Sequence, residues 1–112
     1  MEYLFAVPLH EDKVGSHFGK AKEFCFITVQ NLKIISINTL RTPLYQLREI
    51  TDWLINKKVT HVLANGIGQH AIENLTRNNI EVMWGVPDDT PERLVTAYLD
   101  SQLVLGKNLC DH

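Results

Sequence analysis

"THVLANGIGQHAIENLTRNNIEVMWG", Thr60 to Gly85, is the stretch that decides the architecture. Its opening "THVLAN" (60–65) is a short run of branched apolar residues, the composition of a strand buried on both faces. In "GQHAIENLTRNN" (68–79) the apolar residues Ala71, Ile72 and Leu75 recur at helical spacing among polar ones. "IEVMWG" (80–85) then returns to a strand pattern. A strand, a helix and a second strand joined by tight turns imply a right-handed crossover between parallel strands.

The flanking sequence extends the same plan. "YLFAVPL" (3–9) is an apolar strand closed by Pro8 and the polar "HEDK". "FCFITVQ" (24–30) and "KIISINT" (33–39) are separated only by Asn31 and Leu32, a spacing that suits an antiparallel hairpin. Over residues 44–56, Leu47, Ile50, Trp53 and Leu54 lie opposite Arg48, Glu49 and Asp52, which predicts an amphipathic helix with Pro43 in its first turn and Thr42 as its cap. A last helix is expected over 91–103, capped by Thr90, with Leu94, Val95, Tyr98 and Leu99 on one face. The order is strand, hairpin, then helix and strand in alternation to a final helix. It predicts an α/β fold, a mostly parallel sheet covered on both faces, formed as one domain over residues 1–112.

The totals weigh against several function classes. The chain has 112 residues and a formal net charge of −2, with lysine and arginine scattered along it. No basic footprint for nucleic acid or an anionic membrane is present. No apolar run approaches the ~20 residues that cross a bilayer, and the start lacks the features of a secretory signal, so a cytoplasmic protein is expected. The two cysteines, Cys25 and Cys110, are far apart, which points to free thiols or metal ligands.

In an open α/β sheet, ligands collect at the carboxyl ends of the parallel strands, near the point where strand order reverses. His10, Ser16, His17, Lys20 and Lys22 follow the first strand, and Asn65, Gly66, Gly68 and His70 follow the fourth. Cys25 joins them if the second strand runs antiparallel to the first. Imidazole and thiolate suit iron, zinc or iron-sulfur centres, but no Cys-x-x-Cys is present and the spacing does not match a closed zinc site. Each residue also has a plain structural reading: His17 as a backbone-bonded loop residue, His10 and His70 as solvated surface, and Cys25 as a buried inert thiol between two phenylalanines. "ANGIGQHA" (64–71) carries backbone N–H groups into a helix start, a natural cradle for an anion. At the terminus, Cys110 and His112 lie two residues apart, so both could address one metal if the tail folds back over that edge.

"SHFGKAKEF" (16–24) and "GIGQHAIENLTRNNIEV" (66–82) resemble the dinitrogenase iron-molybdenum cofactor biosynthesis family, found in cofactor carriers of nitrogenase assembly and in stand-alone proteins. The resemblance spans nearly the whole chain. It implies a ribonuclease H-like three-layer α/β/α fold with a mixed five-stranded sheet whose second strand is antiparallel. It also implies binding of an iron-sulfur cluster, or of an iron-molybdenum cofactor or its precursor. His17 is then the leading ligand, Ser16, Phe18 and Gly19 shape its loop, and Gly66 and Gly68 supply the anion-facing turn. His10, Cys25, His70, Cys110 and His112 are the further candidate metal ligands. Asn65 stands where a further glycine is usual in the family, and "LRTPLYQ" (40–46) replaces a Gly/His-rich loop, which favours a stand-alone member.

The expectation is therefore a carrier and not an enzyme, with metallocluster donor or acceptor proteins as partners. Two rival readings are a phosphate- or nucleotide-binding module built on the Gly66–Ala71 turn, and a protein-interaction domain without a metal.

Overall fold

The computed structural model of the protein describes residues 1–15, 17–43 and 47–107. Its elements are β1 (Glu2–His10), β2 (Lys13–Val14), a 3-10 turn (Phe18–Lys20), β3 (Glu23–Gln30), β4 (Lys33–Arg41), α1 (Leu47–Asn56), β5 (His61–Leu63), α2 (Gln69–Arg77), β6 (Glu81–Met83) and α3 (Pro91–Leu99). The sheet runs β4-β3-β1-β5-β6, with β2 attached to β1. β1, β5 and β6 are parallel, while β3 is antiparallel to both of its neighbours. The result is a mixed α/β sheet.

Strand alternation sends residues of β1 to opposite sides. Leu4 and Ala6 join Phe24, Phe26, Ile50, Leu54, Ala71 and Leu75 in a core under α1 and α2. Phe5 and Val7 join Ile27, Leu63, Leu94 and Val95 in a second core under α3. Both faces are covered, and each fully buried Phe, Leu or Val contributes ~1.5–3 kcal/mol. The helices thus occupy two layers around the sheet because the strands are apolar on both sides. Among the described residues, no helix is long and apolar enough to cross a membrane.

The sheet has six strands where five were expected. Glu11, in a left-handed conformation (φ 63°), reverses the chain so that Leu9 pairs with Val14 and His10 with Lys13. Pro8 does not end β1, because β5 pairs only with Phe5 and Ala6, and beyond them β1 continues between β3 and β2. The hairpin between β3 and β4 is the two-residue turn the spacing predicts, with Asn31 and Leu32 both at positive φ. α3 ends at Leu99 and not at residue 103: Ser101 is left-handed (φ 58°), and the chain then turns to pack Leu103 on the core. Thr90 does cap α3, its Oγ1 accepting from Arg93 N at 3.4 Å. Thr42 is buried at the end of β4, where its N–H donates to Lys22 O at 2.9 Å, and the expected first turn of α1 at residues 44–46, which Thr42 would cap, lies outside the described residues.

At the amino ends of β5 and β6, Thr60, His61, Glu81 and Tyr98 form a brace. His61 stacks on Phe5 with ring centroids 4.6 Å apart, and meets Tyr3 and Tyr98 edge-on. Its Nδ1 lies 2.7 Å from Thr60 Oγ1 and its Nε2 lies 3.4 Å from Glu81 Oε2, which also accepts from Tyr98 OH at 2.7 Å. The spacing imitates a nucleophile, base and acid. Thr60 Oγ1, however, accepts from Leu4 N at 2.8 Å and lies 3.2 Å from Leu4 O, which makes the hydroxyl a strand fastener.

Candidate functional site

Strand order reverses at β1: the next chain segments, β3 and β4, lie on one side of it, and β5 and β6 on the other. The crevice at the carboxyl ends of β1 and β5 is therefore where a ligand is expected. Two clefts open there, one on each side of the Glu11–Asp12 turn.

The first cleft, about 420 Å3, is lined by His10, Glu11, Gly15, His17, Lys20, Lys22 and Glu23 among others. Its shape follows from how the β1–β3 loop is pinned. Gly15 N donates to Pro8 O at 2.8 Å, which fixes the entry to the loop. Phe18 then sinks into the core, its ring edge-on to Phe24 at 5.4 Å, and its N–H donates to Gly66 O at 2.9 Å. The 3-10 turn closes on His17, whose carbonyl accepts from Lys20 N at 3.1 Å. With Phe18 buried, its extended neighbour His17 (φ −133°, ψ 111°) is left exposed at the cleft. Neither Gly15 nor Gly19 has a positive φ, so this bend comes from the 3-10 turn and the buried Phe18 and not from glycine freedom.

The second cleft, about 570 Å3, is lined by His10, Glu11, Asp12, Lys13, Val14, Asn65 and Asp88. His10 borders both. Asn65 sets the back of this cleft: its Nδ2 donates to Val86 O at 2.9 Å and its carbonyl accepts from Gly85 N at 2.9 Å, joining the ends of β5 and β6.

The structure brings some of the predicted residues together and separates others. His10 and His17 share the 420 Å3 cleft, and Phe18 and Gly66 are joined by the backbone bond beneath it. Gly68 caps α2, where its carbonyl accepts from Ile72 N at 3.1 Å. Cys25 faces the other way, into the core under α3 beside Val7 and Ile27. Burial pushes its thiol pKa up, against the opposing effect of a hydrogen bond with Thr39. His70 lies in a separate groove between α1 and α2, with Asp52, Glu73 and Arg77. Ser16, Cys110 and His112 lie outside the described residues. Among the described residues, no group of three His, Cys, Asp or Glu side chains is arranged to hold a single metal ion.

Lys20 and Lys22, which the sequence places after the first strand together with His10 and His17, line the cleft on either side of Ala21. One contact was not legible in the sequence. Gly85 is left-handed (φ 73°), and Gly106 N donates to its carbonyl at 2.7 Å, which ties the chain after α3 to the carboxyl end of β6. A Cβ on Gly85 would stand 2.3 Å from Gly106 O. The only clue to this contact in the sequence was a glycine just after a strand.

Chemically, the 420 Å3 cleft offers two imidazoles and two ammonium groups around an open space, with Glu11 and Glu23 at its border. Imidazole nitrogens can coordinate a metal, and the lysines offset negative charge. This donor set suits an anionic metal centre that supplies most of its own ligands.

A family model described as dinitrogenase iron-molybdenum cofactor matches residues 1–101. No curated protein sequence matches the chain significantly. Among solved structures, PH0822 superposes with a TM-score of 0.87 at 22% identity, over 95% of this chain and 96% of that one. A Methanocaldococcus jannaschii protein provisionally described as a dinitrogenase gives 0.78 at 14% identity, over 96% and 98%. The apo form of the orange protein from Desulfovibrio gigas gives 0.70 at 19%, over 94% and 93%. At these identities the structural likenesses speak to the fold.

Proposed function

The chain belongs to the dinitrogenase iron-molybdenum cofactor family, and from that premise we propose that it binds and carries an iron-sulfur cluster, or an iron-molybdenum cofactor or its precursor, in the cleft bordered by His10 and His17. The observation that carries the reading is that two imidazoles seven positions apart in sequence share one cleft with Lys20 and Lys22, above a phenylalanine that fixes the loop. Sparse ligation fits a cargo that is received and passed on, and the protein acts as a carrier and not as a catalyst. Its partners are the proteins that donate and accept the cluster. The antiparallel β3 beside the parallel β1, β5 and β6 supports a ribonuclease H-like description of the layers.

The test is anaerobic loading, both with iron and sulfide and with a preassembled cluster, counting metal per chain and recording the visible spectrum. His17→Ala is expected to lose most of the bound metal, and His10→Ala to lose less. Equal uptake by His17→Ala and the parent would remove the reading. A nucleotide panel run in parallel by thermal unfolding addresses the phosphate-binding alternative, because a ligand at a hundred times its Kd adds about 2.7 kcal/mol of stability.

A further inference from the structure

We infer that the outer edge of β4 is a docking strand for an extended, apolar segment with acidic ends belonging to another protein. β4 is the terminal strand of the sheet, nine residues or ~30 Å long, and no strand among the described residues lies on its outer side. An edge of this length presents backbone N–H and C=O groups that can take up a further strand.

Its side chains are unusual for an edge left in water. Leu32 at the hairpin tip is 64% exposed, Ile35 53%, Ile37 44% and Leu40 39%. These are half of the eight large apolar residues exposed among the described residues. Leu32 also holds a left-handed conformation (φ 67°), which favours glycine or asparagine, so the turn bears a conformational cost while exposing an apolar side chain. Ile37 and Leu40, the register partners of Ile27 and Phe24, stand on opposite faces of the strand, so apolar side chains are exposed along both sides of this edge.

Charge decides the occupant. The strand "KIISINTLR" contains no acidic residue and carries Lys33 at one end and Arg41 at the other. Glu23 is the register partner of Arg41 on β3, but no ion pair joins them. A second copy of the chain is a poor fit, since two-fold pairing of all nine residues would set Lys33 directly against Arg41 of the other copy. The irregularity that shifts the β3–β4 register between Thr28 and Val29, together with the end charges, also discourages indiscriminate pairing. An apolar strand flanked by carboxylates meets both ends favourably.

The bearing of this edge on cluster transfer rests on the proposed function: Thr42, just past β4, donates its N–H to Lys22 O, and Lys22 lines the His17 cleft, so a strand docked on β4 would end at the mouth of that cleft.

The experiment uses metal-free protein, so that failure to load a cluster leaves it untouched. A synthetic peptide of alternating valine and threonine with glutamates at both ends, and its lysine-ended counterpart, are titrated while backbone amide shifts and hydrogen exchange are followed. The expected result is perturbation and slowed exchange centred on β4, with the glutamate peptide bound at least about tenfold more tightly. In the Lys33→Glu, Arg41→Glu double variant, with circular dichroism confirming the fold, the order of the two peptides reverses. Equal binding of both peptides, or no change in β4, would overturn the inference. So would concentration-dependent self-association in sedimentation that Ile37→Asp abolishes, since that assigns the edge to a second copy.

Discussion

At the amino ends of the parallel strands His61 is packed among Tyr3, Phe5 and Tyr98, with Thr60 on one ring nitrogen and Glu81 on the other. At the carboxyl ends His17 stands exposed beside a cleft, its backbone fixed by the 3-10 turn and its buried neighbour Phe18. One histidine has its hydrogen-bonding capacity used within the fold, and the other is held in place through its neighbours while its ring stays available. This pattern separates a structural histidine from a candidate ligand. The buried partner of a ligand holds the loop, and the ligand itself does little for stability.

The sharpest way to break the contrast is Phe18→Ala. Removing a fully buried ring that meets Phe24 is expected to cost about 3–5 kcal/mol in denaturant unfolding and to weaken metal retention along with it. His17→Ala should leave unfolding nearly unchanged while losing metal. If the two variants lowered stability equally, the division of labour between anchor and ligand would be wrong.

Gly85→Ala probes the rim of the carboxyl end. An alanine there takes a left-handed φ and collides with Gly106, for an expected loss of about 1–3 kcal/mol. Release of the segment after α3 should then speed tryptic cleavage after Lys107. Unchanged cleavage would show that the Gly85–Gly106 contact does not hold that segment.

The smallest effect expected is at the amino end, and it depends on pH. Burial lowers the His61 pKa, and Glu81 opposes that shift only in part. The unfolded chain, with its histidine near pH 6.5, therefore takes up the proton first as the solution is acidified. The stability contributed by neutral His61 is fully present above the unfolded pKa and is lost as pH falls through the folded one. The parent should lose unfolding free energy on acidification from about pH 6.5, and His61→Phe, which keeps a stacked ring but does not titrate, should lose less. Identical pH profiles would remove His61 from the account.

Much of this could be read in the sequence, for local reasons. Strands, helices and the hairpin follow from apolar periodicity and from Asn31–Leu32, and the Thr90 cap follows from its position before Pro91. Element ends were less legible. Ser101 stops α3 through a backbone conformation that its residue type does not announce, and Glu11 turns the chain back on β1 to form β2 in the same way. The candidate ligands divided in the same manner. A histidine between a serine and a phenylalanine near a strand end was legible as a candidate ligand, whereas the separation of Cys25 and His70 from it was not.

The sequence by itself determined the order of elements apart from the short β2, the apolar strands covered on both faces and the family, because these depend on residue pattern along the chain. Only the tertiary structure decided that His10 and His17 share a cleft with Lys20 and Lys22, that Cys25 points into the opposite core, and that Gly106 closes on Gly85. Each of these depends on which face of a strand a residue occupies, or on which loop lies across from it. A one-residue change in register turns a strand residue to the other face. Where no short turn joins two segments, which loop lies across from which is decided by long-range pairing that local pattern does not encode.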